Sequence, residues 1–279
     1  MTHDRFPLAF STLGCPGWTF DHAVAQAAAS GYQALEVRIY NGDIIPADLS
    51  ASDRAAWQRT LRTHNLRVIG LGASTRFAFA DAATRAENLR DLIAYLELAA
   101  DLEVPLVRTF GSPGQIDIPM HQAIDHVAEA LNAASATAER LGVDIILETH
   151  DAFCKGVDVA AVLAKVPSRA VGAVWDVHHP YRMGEDIATT WQLLGPRVKH
   201  IHIKDARRRA DGSWQLVLLG QGEVPCRAVV ELLHREGYNG YLSVEWEKKW
   251  HPEIEEPEIA LPQHAALLRE WFSALPPLA

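Results

Sequence analysis

Eight short apolar runs, each followed by a stretch of helical periodicity, limit this chain more than any other feature of its sequence. In order they predict strands over Leu8–Leu13, Ala34–Ile39, Arg67–Leu71, Leu106–Phe110, Val143–Glu148, Val171–Asp176, Val198–Ile203 and Leu242–Trp246. Runs that are apolar at most positions suit strands buried on both faces, the condition of a parallel sheet. Between them, Ser50-Ala-Ser-Asp53 precedes an amphipathic stretch reaching His64, and Asp81 is placed to cap a long one through Asp101. Pro119–Leu141 stops at Gly142, Pro225–Glu236 stops at Gly237, and Pro262–Leu275 supplies a last helix. Eight alternations without a Pro- or Gly-rich linker predict an α/β chain in which residues 1–279 form one (β/α)8 TIM barrel. The rival doubly wound sheet is disfavoured, because the first strand-to-helix turn, Gly14-Cys-Pro-Gly17, lacks the G-x-G-x-x-G phosphate fingerprint.

Four consecutive runs end in ligand chemistry where Gly, Ser or Asn would be expected: Glu148, Asp176, His202 and Glu245. In a closed parallel barrel the C-terminal strand ends meet in one ring, and three carboxylates packed that closely repel unless a cation sits between them. Each residue alone has a plainer reading. A strand-end carboxylate often caps a loop, and a strand His is more often a hydrogen-bonded core residue than a ligand. Four on adjacent strand ends favour a metal. Three hard oxygen donors with one imidazole suit Mn2+ or Mg2+, with Co2+ or Zn2+ as alternatives. Period-two alternation places His200, His202 and Lys204 on one face, Glu148 with Asp144 and Ile146, and Asp176 with Gly172 and Val174.

The bulk of the chain narrows the partners. Its 26 basic and 35 acidic residues leave a charge of −9, which argues against a nucleic-acid surface. No run approaches the roughly 18 apolar residues of a membrane span, and the N-terminal MTHDRFPLAF carries no evident signal peptide. Cys15, Cys154 and Cys226 form no C-x-x-C pair and read as reduced thiols of a cytoplasmic protein. Three long segments follow strands and so belong to the catalytic face: Tyr40–Leu49, Gly111–Ile118 and Asp205–Glu223. The last contains Asp211-Gly212 between runs able to pair as a hairpin.

The set Glu148, Asp176-Val-His-His179, His200-Ile-His202, Arg208 and Glu245 resembles the xylose-isomerase-like superfamily of sugar phosphate isomerases and epimerases. With Phe10-Ser-Thr-Leu-Gly14 on the first strand, the resemblance spans essentially the whole chain. The superfamily includes ketose 3-epimerases, hydroxypyruvate isomerase, inosose isomerases and dehydratases, and the distant endonuclease IV. The resemblance implies that Glu148, Asp176, His202 and Glu245 hold one divalent metal, and that His179 and Arg208 contact substrate. The loop carrying Arg208 is longer than the epimerase version, and Trp246-Glu-Lys-Lys-Trp-His-Pro252 departs from the epimerase pattern. The activity implied is isomerisation or epimerisation of a keto sugar or polyol ketone, through α-proton abstraction by Glu148 or Glu245 and a metal-stabilised enediolate.

Elimination from the same enolate is the alternative, since Lys204-Asp205 resembles the inosose dehydratases as much as the epimerases. An endonuclease would need further His ligands where this chain has Gly70-Leu-Gly72 and Thr109-Phe110-Gly111. A non-catalytic sugar binder would have no use for two glutamates flanking the metal. Second-rank candidates are His150 and Arg108 as substrate contacts, and Trp18, Phe77, Trp246 and Trp250 as an apolar wall. Glu36 and Arg38, near the second strand end, are placed to reach the cavity, but read slightly better as an ion pair inside the barrel. A substrate phosphate is expected near Arg207–Arg209, Gly220–Gly222 and Lys248–Lys249, and Lys204 joins Lys248 and Lys249 as a candidate for a phosphate or leaving group. The extended Trp250–Pro262 segment offers a place for a homo-oligomer contact.

Overall fold

The computed structural model describes residues 6–277; the Met1–Arg5 stretch, part of the leader reading, lies outside them, as do the last two residues of the proposed 1–279 domain. Eight parallel strands close into a barrel: β1 Leu8–Ser11, β2 Ala34–Val37, β3 Arg67–Gly72, β4 Leu106–Thr109, β5 Asp144–Glu148, β6 Val171–Asp176, β7 Val198–Ile203 and β8 Leu242–Val244. Each pairs with its neighbours in sequence, and β8 returns to β1. The ring wears its helices outside: α1 Phe20–Ala29, α2 Ala51–His64, α3 Ala82–Asp101, α4 Met120–Leu141, α5 Gly156–Ala164, α6 Ile187–Leu194, α7 Cys226–Arg235 and α8 Pro257–Ser273.

Local chemistry sets the helix ends. Ser50 and Asp81 accept from the backbone N–H groups of Asp53 and Thr84, and Gly142 closes α4 in the left-handed conformation at φ +67°. The final helix starts five residues before the expected Pro262, at Pro257. A proline at the first helical position loses no bond, whereas Pro262 inside the helix gives up one backbone donor. The run expected through Trp246 stops as a strand at Val244, although the Glu245 N–H still reaches Ile203 O at 3.1 Å. Likewise the first run bends after Ser11 into a 3-10 turn over Thr12–Gly14.

Most apolar side chains pack between strands and helices in one large core. The barrel interior differs. Ala9, Ala34 and Ile69 form a small separate cluster, and toward the C-terminal strand ends the interior turns polar. The Asp211-Gly212 hairpin is present, with Asp205–Arg208 antiparallel to Trp214–Val217. No helix among the described residues is long and apolar enough to cross a membrane.

Candidate metal centre and adjoining cavity

Asp176, the last residue of β6, stands in register with His202 of β7, and His202 with Ser243 of β8. A register shift between Ala173 and Val174 interrupts strict alternation on β6 and sets this alignment. Glu148 closes β5, and Glu245 follows β8. All four side chains are buried, and one ligand atom from each lies within 4.8 Å of the others. His202 Nδ1 is 3.0 Å from Glu148 Oε1, 3.4 Å from Glu245 Oε1 and 3.9 Å from Asp176 Oδ2.

The far side of His202 explains which nitrogen faces the cluster. Glu36 Oε2 accepts from His202 Nε2 at 2.8 Å, from His200 Nε2 at 3.0 Å and from Ser243 Oγ at 3.1 Å. With its proton on Nε2, His202 turns the Nδ1 lone pair toward three carboxylates. That arrangement requires a proton or a metal ion at Nδ1. Burial disfavours charge on His202, yet Glu245, Glu36 and Glu148 together hold its pKa well above the usual histidine range. Burial likewise opposes the charge of Glu36, but the two imidazoles keep its carboxyl well below the usual carboxylate range. The expected Glu36–Arg38 ion pair is therefore absent. Glu36 is taken by the histidines, and Arg38 Nη1 donates to Gly72 O at 2.7 Å.

A second cation, from the residue that follows β7, reaches the cluster. Lys204 Nζ lies 2.8 Å from Asp176 Oδ2, 2.7 Å from Glu245 Oε2 and 2.5 Å from Glu247 Oε1. Burial works against its charge, but these carboxylates hold its proton more tightly than usual. Burial pushes the Asp176 carboxyl up to about 6, with Lys204 opposing and Glu245 and Glu148 adding to the rise. Glu148 Oε2 and Asp176 Oδ2 are buried without an aligned hydrogen bond; Arg108 Nε lies 3.2 Å from the first, and Lys204 Nζ at 2.8 Å and His179 Nε2 at 3.7 Å flank the second. Three carboxylates, two of them with an oxygen lacking a hydrogen bond, and an imidazole lone pair form a donor set that fits a divalent cation.

Beside this cluster opens a cavity of about 200 Å³, lined by Leu13, Arg38, Arg76, Arg108, Phe110, Glu148, His150, Glu245, Glu247 and Trp250. Of the four clustered residues, only Glu148 and Glu245 border it. The volume is below the roughly 300–1,000 Å³ of drug-sized sites, which suits a small metabolite.

The other expected residues divide sharply. His150 and Arg108 line the cavity, and the His150 ring packs 4.6 Å from both Phe110 and His179. Buried His179 sits 3.4 Å from Lys204 Nζ, and burial followed by the Lys204 charge keeps it neutral, well below the usual range. Trp250 is on the cavity wall, but the other expected wall residues are not. Trp18 is turned to Glu258 and His22, Phe77 is in the core, and Trp246 donates to Glu255 O at 2.9 Å. Arg208 is exposed on the hairpin, where its backbone N–H donates to Glu223 Oε1 at 3.0 Å, and it does not line the cavity.

The basic groups expected to await a phosphate have other partners. Lys248 Nζ donates to Pro252 O and Ile254 O, Lys249 Nζ to Gly42 O, and an Arg207 guanidinium N–H to Gln221 O. Sequence reading missed Arg76, Phe110 and Glu247 as cavity residues. Only the two-residue step from Glu245 to Glu247 offered a signal for any of them.

Residues 24–271 match the xylose isomerase-like TIM barrel family, and the chain belongs to it. Among curated relatives, it is 25% identical over 273 residues to the fructoselysine 3-epimerase of Escherichia coli O157:H7, covering 93% of this chain and 97% of that one. It is 24% identical over 284 residues to the inosose dehydratase of Bacillus velezensis (strain DSM 23117 / BGSC 10A6 / LMG 26770 / FZB42), covering 92% and 88% respectively. A crystal structure of the IOLI protein with a bound zinc atom superposes with a TM-score of 0.82 at 21% identity, over 98% of this chain and 100% of that one.

Proposed function

We propose that the chain is a divalent-metal-dependent isomerase or epimerase of a small keto sugar or polyol ketone, with Glu148 and Glu245 moving the proton. The observation that carries this reading is the split within the cluster: Asp176 and His202 are withdrawn, while Glu148 and Glu245 border the cavity. They come from β5 and β8, three strands apart around the ring, so they approach a bound molecule from different sides. Such a pair can take a proton from one face of a carbon and return one to the other. A divalent cation held by Glu148, Asp176, His202 and Glu245 supplies a Lewis acid that polarises the substrate carbonyl and acidifies the adjacent C–H. Mn2+ or Mg2+ suits the oxygen-rich donors; zinc in the IOLI protein keeps that ion in the set.

The chain's own residues do the rest. Arg108 holds Glu148 in place, Lys204 holds Glu245, and His150 offers a polar group on the wall. Three buried, unpaired cysteines agree with a reducing compartment such as the cytoplasm.

Elimination is favoured by the inosose dehydratase relatives, and it needs an acid for the departing oxygen. Lys204 is a poor one, because its three carboxylate partners keep its proton. His150 is the better placed group.

Deuterium incorporation from D2O into a panel of ketoses and inososes, with added Mn2+, tests the reading. Exchange at the carbon next to the carbonyl is expected, slowed roughly 100-fold or more in Glu148→Gln or Glu245→Gln. Conserved mass marks epimerisation or isomerisation, and loss of water marks elimination. No exchange into any ketone, by protein with metal bound, removes the proposal.

A further inference from the structure

Three arginines line the cavity from β2, β3 and β4, the half of the ring that does not supply the metal cluster. Arg38 follows β2, Arg76 follows β3, and Arg108 is on β4; all three line the wall. Arg38 and Arg108 are nearly inaccessible, at 5% and 3% exposure. They pass over Gly72, where a Cβ would stand 3.0 Å from both Arg108 Nη2 and Arg38 Cδ. Any side chain at that position would displace them.

Phe110 aligns the other pair. Its ring centroid is 3.9 Å from Arg108 Cζ and 5.3 Å from Arg76 Cζ. Anchoring is by neutral backbone oxygens: Arg38 to Gly72 O at 2.7 Å and Arg108 to Ala73 O at 3.0 Å. Among the described residues, Arg38 and Arg76 form no ion pair, and Arg76 Nε is buried without a hydrogen-bond partner. Only Arg108 has a carboxylate, Glu148, which the metal cluster shares. Burial and the neighbouring Arg108 and Arg76 charges push the Arg38 pKa down to about 9. Like charges held together at that cost, with donors to spare and an aromatic platform beneath, are the features of an oxyanion receptor.

We infer that the ligand of this cavity carries an oxyanion, a carboxylate or a phosphate, which docks on Arg38, Arg76 and Arg108 while its carbonyl end faces Glu148 and Glu245. This deepens the reading above and rests on it for the carbonyl end alone. It moves the anion site from the loops after β7 and β8 to the β2–β4 side, since Lys248 and Lys249 are tied to backbone oxygens.

The test measures binding without turnover. Metal-supplemented protein is titrated with D-glucose, D-glucuronate and D-glucose 6-phosphate, following the heat of binding and, in parallel, intrinsic tryptophan fluorescence, to which the cavity residue Trp250 contributes. The charged sugars are expected to bind roughly tenfold or more tightly than glucose. That preference should weaken with added salt and be lost in Arg76→Gln, a half-buried position that leaves the barrel wall intact. Whichever acid wins identifies the source of the oxyanion. Equal binding of all three sugars overturns the inference, as does a charged-sugar preference unchanged in Arg76→Gln, which would assign the anion to the metal. Deuterium exchange into neutral ketoses is a separate readout. If it fails while the charged-sugar preference stands, the proton-transfer reading falls alone.

Discussion

At Glu36 one carboxylate oxygen receives three donors, two of them imidazole N–H groups, and so decides which nitrogen of His202 meets the metal cluster. Carboxylates that fix a ligand histidine in this way typically contribute tenfold to a hundredfold in metal affinity. Glu36→Gln should therefore weaken Mn2+ binding by about 10- to 100-fold, measured by calorimetry on chelator-stripped protein. Unchanged affinity would show that His202 is oriented by packing alone. The alternation of β7 placed His200, His202 and Lys204 on one face, and all three do face the polar interior. The partner of the two histidines came from β2, 164 and 166 residues away, and nothing local to either strand announces such a meeting.

At the scale of elements, strands were easier to delimit than their neighbours. Apolar runs ending in ligands are local signals, and caps such as Ser50, Asp81 and Gly142 behave as their chemistry demands. Asp81 accepts from both the N–H and the hydroxyl of Thr84, at 2.7 and 2.6 Å. Asp81→Ala should lower the urea midpoint of unfolding, and a neutral result would mean the start of α3 is held by its packing. Helices α1, α5 and α6 went undelimited in the sequence. They span only 10, 9 and 8 residues, and such short helices depend on packing against the barrel more than on their own propensity. Trp18 and Arg208 sit on connections whose course the strand pattern does not fix. Neither lines the cavity beside the metal cluster.

For the whole molecule, docking α8 against the barrel end ties stability to pH. His264 is fully buried in α8 beside Trp246; its Nδ1 donates to Ala260 O at 2.5 Å and its Nε2 has no partner. Burial pushes its pKa down to about 4 from 6.5, opposed only by the Ala260 hydrogen bond. Between these values the unfolded chain binds the proton and the folded one does not, so stability falls as pH drops from 6.5 toward 4. The full effect is about 3 kcal/mol. Urea titrations at pH 7, 6 and 5 should show a shallower acid-side loss in His264→Leu than in the parent; parallel losses would exclude this histidine as a source.

The linear chain settled what short-range periodicity can settle: alternating strands and helices, their caps, and four strand ends bearing three carboxylates and an imidazole. Side-chain direction along a strand follows a two-residue rule, and a parallel barrel presents all its C-terminal ends on one side, so those four were bound to meet if the ring closed. Closure, register and loop course belong to the folded molecule, because they depend on contacts between residues far apart in sequence. Folding gave Glu36 to the histidines rather than to Arg38, brought Lys204 against the acids, gathered Arg38, Arg76 and Arg108 around Gly72 and Phe110, and carried Arg208 out to solvent.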